Sequence, residues 1–196
     1  MESKVLNYIK DVLKNMPTDW LNLTTHRLDI YNEELAKSEF LEQFEALFNN
    51  NNSDTFSLKE LPTAYDYIRL GHPLSCVLEW SIANLHNIKS EKVISFSSQT
   101  IPILAILRKN LLENRNTQIL YTDKLPFSLD TETIKNVYDY QFELKQVENS
   151  NDIPKFNGST IFISNQDKIS SKKINSNIDF YINIHKNIGS ILLIND

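Results

Sequence analysis

The stretch GSILLIND, residues 189–196, decides how this chain is read. Gly189 and Ser190 open a run of four aliphatic residues, Ile191–Ile194, which ends in Asn195 and Asp196. The preceding segment, NSNIDFYINIHKNIG (175–189), is read as a helix closed by its glycine. The apolar run then predicts a buried strand of a parallel sheet, delivering Asn195 and Asp196 to the edge where open α/β sheets bind ligands.

Upstream segments repeat that alternation. KVISF (92–96) predicts a strand, TIPILAILRKNLLEN (100–114) a helix, TQILYT (117–122) a strand and SLDTETIKNVYDYQ (128–141) a helix. FELKQV (142–147) alternates apolar and polar residues and suits a strand near the sheet edge, and STIFIS (159–164) predicts a further strand. The expected fold is therefore α/β: a three-layer α/β/α arrangement around a mostly parallel sheet of about five strands.

The N-terminal third reads as helical instead. SKVLNYIKDVLKNM (3–16) sets Val5, Tyr8 or Ile9, Val12 and Leu13 on one stripe, and NEELAKSEFLEQFEALF (32–48) repeats the pattern through Leu35, Phe40, Leu41, Phe44 and Leu47. The polar run NNNNSD (49–54) then reads as a loop or linker. Two regions are expected: a helical segment with its linker over 1–54, and an α/β domain over 55–196. Within the latter, GHPLSCVLEWSIANLHN (71–87) reads as a helix with proline in its first turn. Its Glu79 and His86 read as a solvated flank, and Trp80, like Trp20, as a core or interface anchor.

Composition narrows the function. The chain has 196 residues, 41% hydrophobic and 23% charged, as in ordinary soluble globular proteins. A net charge of -5 gives no electrostatic ground for nucleic acid or an anionic membrane. No apolar run reaches the roughly 20 residues of a membrane helix. The single Cys76 excludes an intrachain disulfide, and with no signal-peptide pattern a cytoplasmic location is expected. Three glycines, Gly71, Gly158 and Gly189, are too few and too scattered for a dinucleotide or Walker-type loop, and four dispersed histidines offer no metal signature.

Candidate chemistry lies in the loops after the strands. Ser97, Ser98, Gln99 and Thr100 lead from KVISF into a helix, and read either as an ordinary helix cap or as a cradle for phosphate. Asp123–Phe127 follows TQILYT, and Asn165 with its neighbours follows STIFIS; each reads as a pocket wall or as a solvated turn.

The stretch YIRLGHPLSCVLEWSIANL (67–85) resembles the Y-x-R-x-x-N-P-T…L-E-x-x-L-A-x-L segment of the cystathionine γ-synthase group of pyridoxal-phosphate enzymes, within fold type I. VISFSSQTIPILAIL (93–107) is similar to that family's phosphate turn, and GSILLIND to its G-A-L-L-V-V-D-N strand. The resemblance runs over about residues 61–196. It implies part of a fold type I large domain, preceded by helices, with pyridoxal phosphate as cofactor. Tyr67 and Arg69 would reach the cofactor phosphate of a neighbouring subunit. Ser98 and Gln99 would hold the phosphate of their own subunit, and Phe127 would stack on the ring. Asn195 falls on the aspartate that pairs with the ring nitrogen, with Asp196 one place later.

The resemblance has departures. His72 stands for the family's asparagine, Ser98 for its glycine, and the family's Schiff-base lysine would lie beyond Asp196. No catalytic residue and no metal ligand is assigned. The expected function is a truncated or degenerate relative of enzymes acting on sulfur amino acids or of aminotransferases, inactive alone and completed by a homo-oligomer or a missing C-terminal part. Two alternatives stand beside it: a non-catalytic α/β interaction or regulatory module, and a Rossmann-like protein binding a phosphorylated small molecule.

Overall fold

The structure, a computed structural model, describes residues 2–21, 33–62, 72–126, 128–166, 174–187 and 189–195. The chain divides into two compact units, Met1–Ser90 and Glu91–Asp196. Within the first unit the helix over 73–86 packs with the N-terminal helices.

The first unit contains α1 (Glu2–Asn15), a 3-10 turn (Thr18–Leu21), α2 (Glu33–Asn49), α3 (Thr55–Lys59) and α4 (Pro73–His86). Val5, Tyr8 and Val12 of α1 meet Phe40, Phe44 and Phe48 of α2, with Cys76, Val77 and Trp80 of α4, in one buried cluster. Helical spacing on each element places these side chains on one stripe. Trp20 is buried in the same cluster, so both tryptophans are core residues.

Glu79 departs from the expected solvated flank. It is 5% exposed and forms an ion pair with Lys37 of α2. A carboxylate at that depth requires such a partner. The 49–54 stretch is likewise no free linker. The Tyr8 hydroxyl donates to the Asn52 carbonyl at 2.9 Å, Asn15 Nδ2 donates to the Ser53 carbonyl at 3.0 Å, and Asp54 caps α3 through the Ser57 N–H. Asn51 adopts φ +52, a left-handed conformation that asparagine tolerates. Burial, reinforced by the Glu45 carboxylate, pushes the Tyr8 phenol well above its usual range.

Among the described residues the second unit is a six-stranded sheet with two α-helices: β1 (Val93–Phe96), α5 (Ile101–Leu112), β2 (Thr117–Tyr121), α6 (Thr131–Tyr138), β3 (Glu143–Gln146), β4 (Ser159–Ser164), β5 (Phe180–His185) and β6 (Gly189–Ile194). The strand order is β1-β6-β5-β4-β2-β3. Strands β2–β3, β2–β4 and β4–β5 pair in parallel, whereas β6 runs antiparallel to both β5 and β1. The α/β class and the mostly parallel sheet are as expected, and β3 is indeed an outermost strand.

The C-terminal reading requires correction. Residues 180–185 form a strand, not a helix, and a tight turn after His185 returns the chain as β6. The physical reason is periodicity. Phe180, Ile182 and Ile184 alternate with Tyr181, Asn183 and His185, which suits the two faces of a strand and not a 3.6-residue turn. The former three join Ile119, Ile161, Ile163 and Leu192 under Ile103, Ile106 and Leu107 of α5 and Ile134 of α6. On the opposite face Leu120 and Phe162 are covered by Ile153 and Ile178 from irregular segments.

Candidate functional site

The parallel strands β1, β2, β4 and β5 bring their C-terminal ends to one edge of the sheet. There the predicted Ser97–Thr100 turn meets the β5–β6 hairpin: Gln99 Nε2 donates to the carbonyls of His185 (3.2 Å) and Lys186 (3.4 Å), and Ser190 Oγ donates to the Ser98 carbonyl at 2.6 Å. Close approach of backbones makes this junction possible. Gly189 has φ +101, and a Cβ on it would lie 2.0 Å from the Phe96 carbonyl oxygen.

The Ser98 hydroxyl caps the start of α5. Its Oγ accepts from the N–H groups of Thr100 and Ile101, both at 3.2 Å, and lies 3.4 Å from Thr100 Oγ1. Pro102 has no N–H, so the helix start is in large part satisfied from within the chain. Ser97 is exposed. Replacing Ser98 with alanine leaves those two N–H groups without this acceptor. A loss of about 1 kcal/mol is expected, measured as a lower urea midpoint with unchanged m-value.

Further along the edge, Asn165 Nδ2 donates to the Lys124 carbonyl at 2.7 Å. Asn183 holds the loop after β4, accepting from the Gln166 N–H at 3.0 Å and from Ser164 Oγ at 3.1 Å. Ser164 Oγ lies 2.7 Å from the Tyr181 hydroxyl, and burial raises the Tyr181 phenol above its ordinary value despite that contact. Asn183, Tyr181 and the hairpin residues His185 and Lys186 were not legible as edge residues while 175–189 was read as a helix. The two-residue alternation in FYINIH is the signal that finds them.

Asn195 lies elsewhere. Because β6 is antiparallel to its neighbours, its C-terminal end sits at the opposite edge. There the Asn195 side chain donates to the carbonyls of Asn175 (3.1 Å) and Ile178 (2.9 Å), ahead of β5. Ser190, at the other end of the strand, touches Ser98; five residues of extended chain separate Asn195 from that point, about 17 Å. Ser98 and Asn195 thus stand at opposite edges of the sheet, with the Asn195 side chain engaged by the Asn175 and Ile178 carbonyls. Tyr67, Arg69, Phe127 and Asp196 lie outside the described residues.

Near the Asn195 end, a cleft of about 400 Å³ is lined by Ser150, Asn151, Ile174, Asn175 and Ser176. Asn175 Nδ2 donates to the Ser150 and Asn151 carbonyls, which holds the cleft wall. Among the described residues no group of three His, Cys, Asp or Glu side chains is placed to hold a metal ion. No described helix is long and apolar enough to cross a membrane.

What the arrangement defines is an α/β unit with a mixed sheet and a polar C-terminal edge. No family model matches the chain, and no curated protein matches it. Among solved structures it is similar to metB from Corynebacterium glutamicum, at 15% sequence identity and a TM-score of 0.37. The similarity covers 70% of this chain, which spans 46% of that one.

Proposed function

We propose that this chain is a non-catalytic relative of the pyridoxal-phosphate transferases, in which the α/β unit serves as an interaction module and not as a cofactor site. The observation that carries this reading is the separation of Ser98 from Asn195 along β6. The polar groups of the turn after β1 are already engaged within the protein: Ser98 with two backbone N–H groups and with Ser190, Gln99 with the hairpin carbonyls. A phosphate there would have to displace the Ser98 hydroxyl from both N–H groups, exchanging satisfied hydrogen bonds for new ones at little net gain.

Titration of the full chain with pyridoxal phosphate tests this. The visible spectrum of the added cofactor is expected to remain that of the free compound, with no saturable change in tryptophan fluorescence. A saturable new absorption band at equimolar protein would overturn the reading and restore the cofactor-binding alternative.

A further inference from the structure

Among the described residues the outermost strand β3 is an open edge. Glu143, Leu144, Lys145 and Gln146 are all exposed, and β3 has β2 as its neighbour at the end of the strand order. Its backbone orientation follows from one hydrogen bond: the Val147 N–H donates to the Tyr121 carbonyl at 2.9 Å. Backbone groups alternate sides along a strand, so Glu143 and Lys145 also face β2, while Leu144 and Gln146 direct their N–H and C=O groups to the open side. Unpaired edges of this kind template further pairing.

We propose that two copies of this chain join through β3, antiparallel and centred on Leu144. In that register Leu144 opposes its own copy as a hydrogen-bonded pair, and Phe142 opposes Gln146 twice over in the same way. Glu143 then faces Lys145 of the other copy, and Lys145 faces its Glu143, in the closer non-hydrogen-bonded positions where side-chain charge counts most. The segment Glu143-Leu144-Lys145 is its own electrostatic complement when read antiparallel. The neighbouring symmetric registers are disfavoured: one sets Glu143 against Glu143, the other Lys145 against Lys145. The partner favoured by charge is a second copy.

The sheet face supports the same occupant. Leu144 is in register with Ile119 and so lies on the face that carries α6, whose Lys135 Nζ sits 4.6 Å from the centre of the Phe142 ring. On α6, Val137 and Tyr138 are 68% and 56% exposed, large values for apolar side chains, and Leu144 is 37% exposed. Twofold pairing of β3 brings the α6 helices of both copies to one face, where these side chains cover one another. Two isologous copies are the commonest solution for such a patch.

Sedimentation of the full chain over a range of concentrations tests the proposal, with circular dichroism confirming that each variant is folded. The native chain is expected to dimerise. Lys145→Glu places like charges opposite each other twice and is expected to raise the dissociation constant about tenfold or more. The exchanged variant Glu143→Lys with Lys145→Glu restores complementarity and is expected to dimerise again. A native chain that stays monomeric at its highest soluble concentration would overturn the proposal. So would a dimer indifferent to Lys145→Glu, or an exchanged variant that remains dissociated. The cofactor titration leaves this outcome untouched, since β3 and β1 are opposite lateral edges of the sheet.

Discussion

Gly189→Ala is expected to cost about 3 kcal/mol or more, a large share of a typical domain stability of roughly 5–15 kcal/mol. Two independent terms add. The backbone at φ +101 is one that an L side chain rarely adopts, and forcing it costs on the order of 1–3 kcal/mol. The new Cβ would also lie 2.0 Å from the Phe96 carbonyl oxygen and 2.7 Å from the Ser97 carbonyl carbon, both backbone atoms that no rotamer change can move aside. Relief requires β1 to shift from β6, where Phe96 opposes Ser190 in a four-residue ladder. The measurement is the urea midpoint of the full chain by circular dichroism. A loss below about 1 kcal/mol would show that β1 does not approach the hairpin as described.

Trp80→Ala in the first unit carries a comparable penalty, about 3–5 kcal/mol. Trp80 is 1% exposed, and its ring meets Phe44 edge-on at 5.1 Å, Phe48 at 4.9 Å and Tyr8 at 6.3 Å. Truncation leaves a cavity among three aromatic rings, which relax only in part. It also removes the indole N–H that donates to the Glu45 carboxylate. Trp80→Phe keeps ring contacts while losing that hydrogen bond, so it is expected to lose less than half as much. The fluorescence of Trp20 follows unfolding in both variants. Equal costs for the two substitutions would place the energy in the polar contact and contradict the packing argument.

Particular residues show how far the sequence is legible. Helical stripes in the first unit are legible through Val5, Val12, Phe40 and Phe44, which are buried in its core, whereas Phe48, buried with them, falls outside the stripe read through Leu47. Asp130 caps α6, a role not read from the sequence, and its carboxylate, accepting from the Thr133 and Glu132 N–H groups, is held below the ordinary aspartate range. FELKQV read correctly as an edge strand because its polar positions have no buried face to fill.

The failure lies in residues 175–189, and it has a local cause. Gly189 resembles a helix C-cap in sequence, but its positive φ serves the close passage of β6 past Phe96. That error reversed the direction assigned to the following strand, and with it the edge to which Asn195 belongs. Burial of Glu79 was equally invisible, since its partner Lys37 is 42 residues away in sequence. Long-range pairing of this kind leaves no trace in local periodicity.

The hairpin is the central claim, because the separation of Ser98 from Asn195 follows from it. Nuclear Overhauser contacts across residues 180–194 test it most directly. The account predicts backbone proton contacts between Tyr181 and Leu193 and between Asn183 and Ile191, the opposed pairs of an antiparallel ladder. Backbone contacts three residues apart running through 176–188, without those cross-strand pairs, would show a helix there and contradict it.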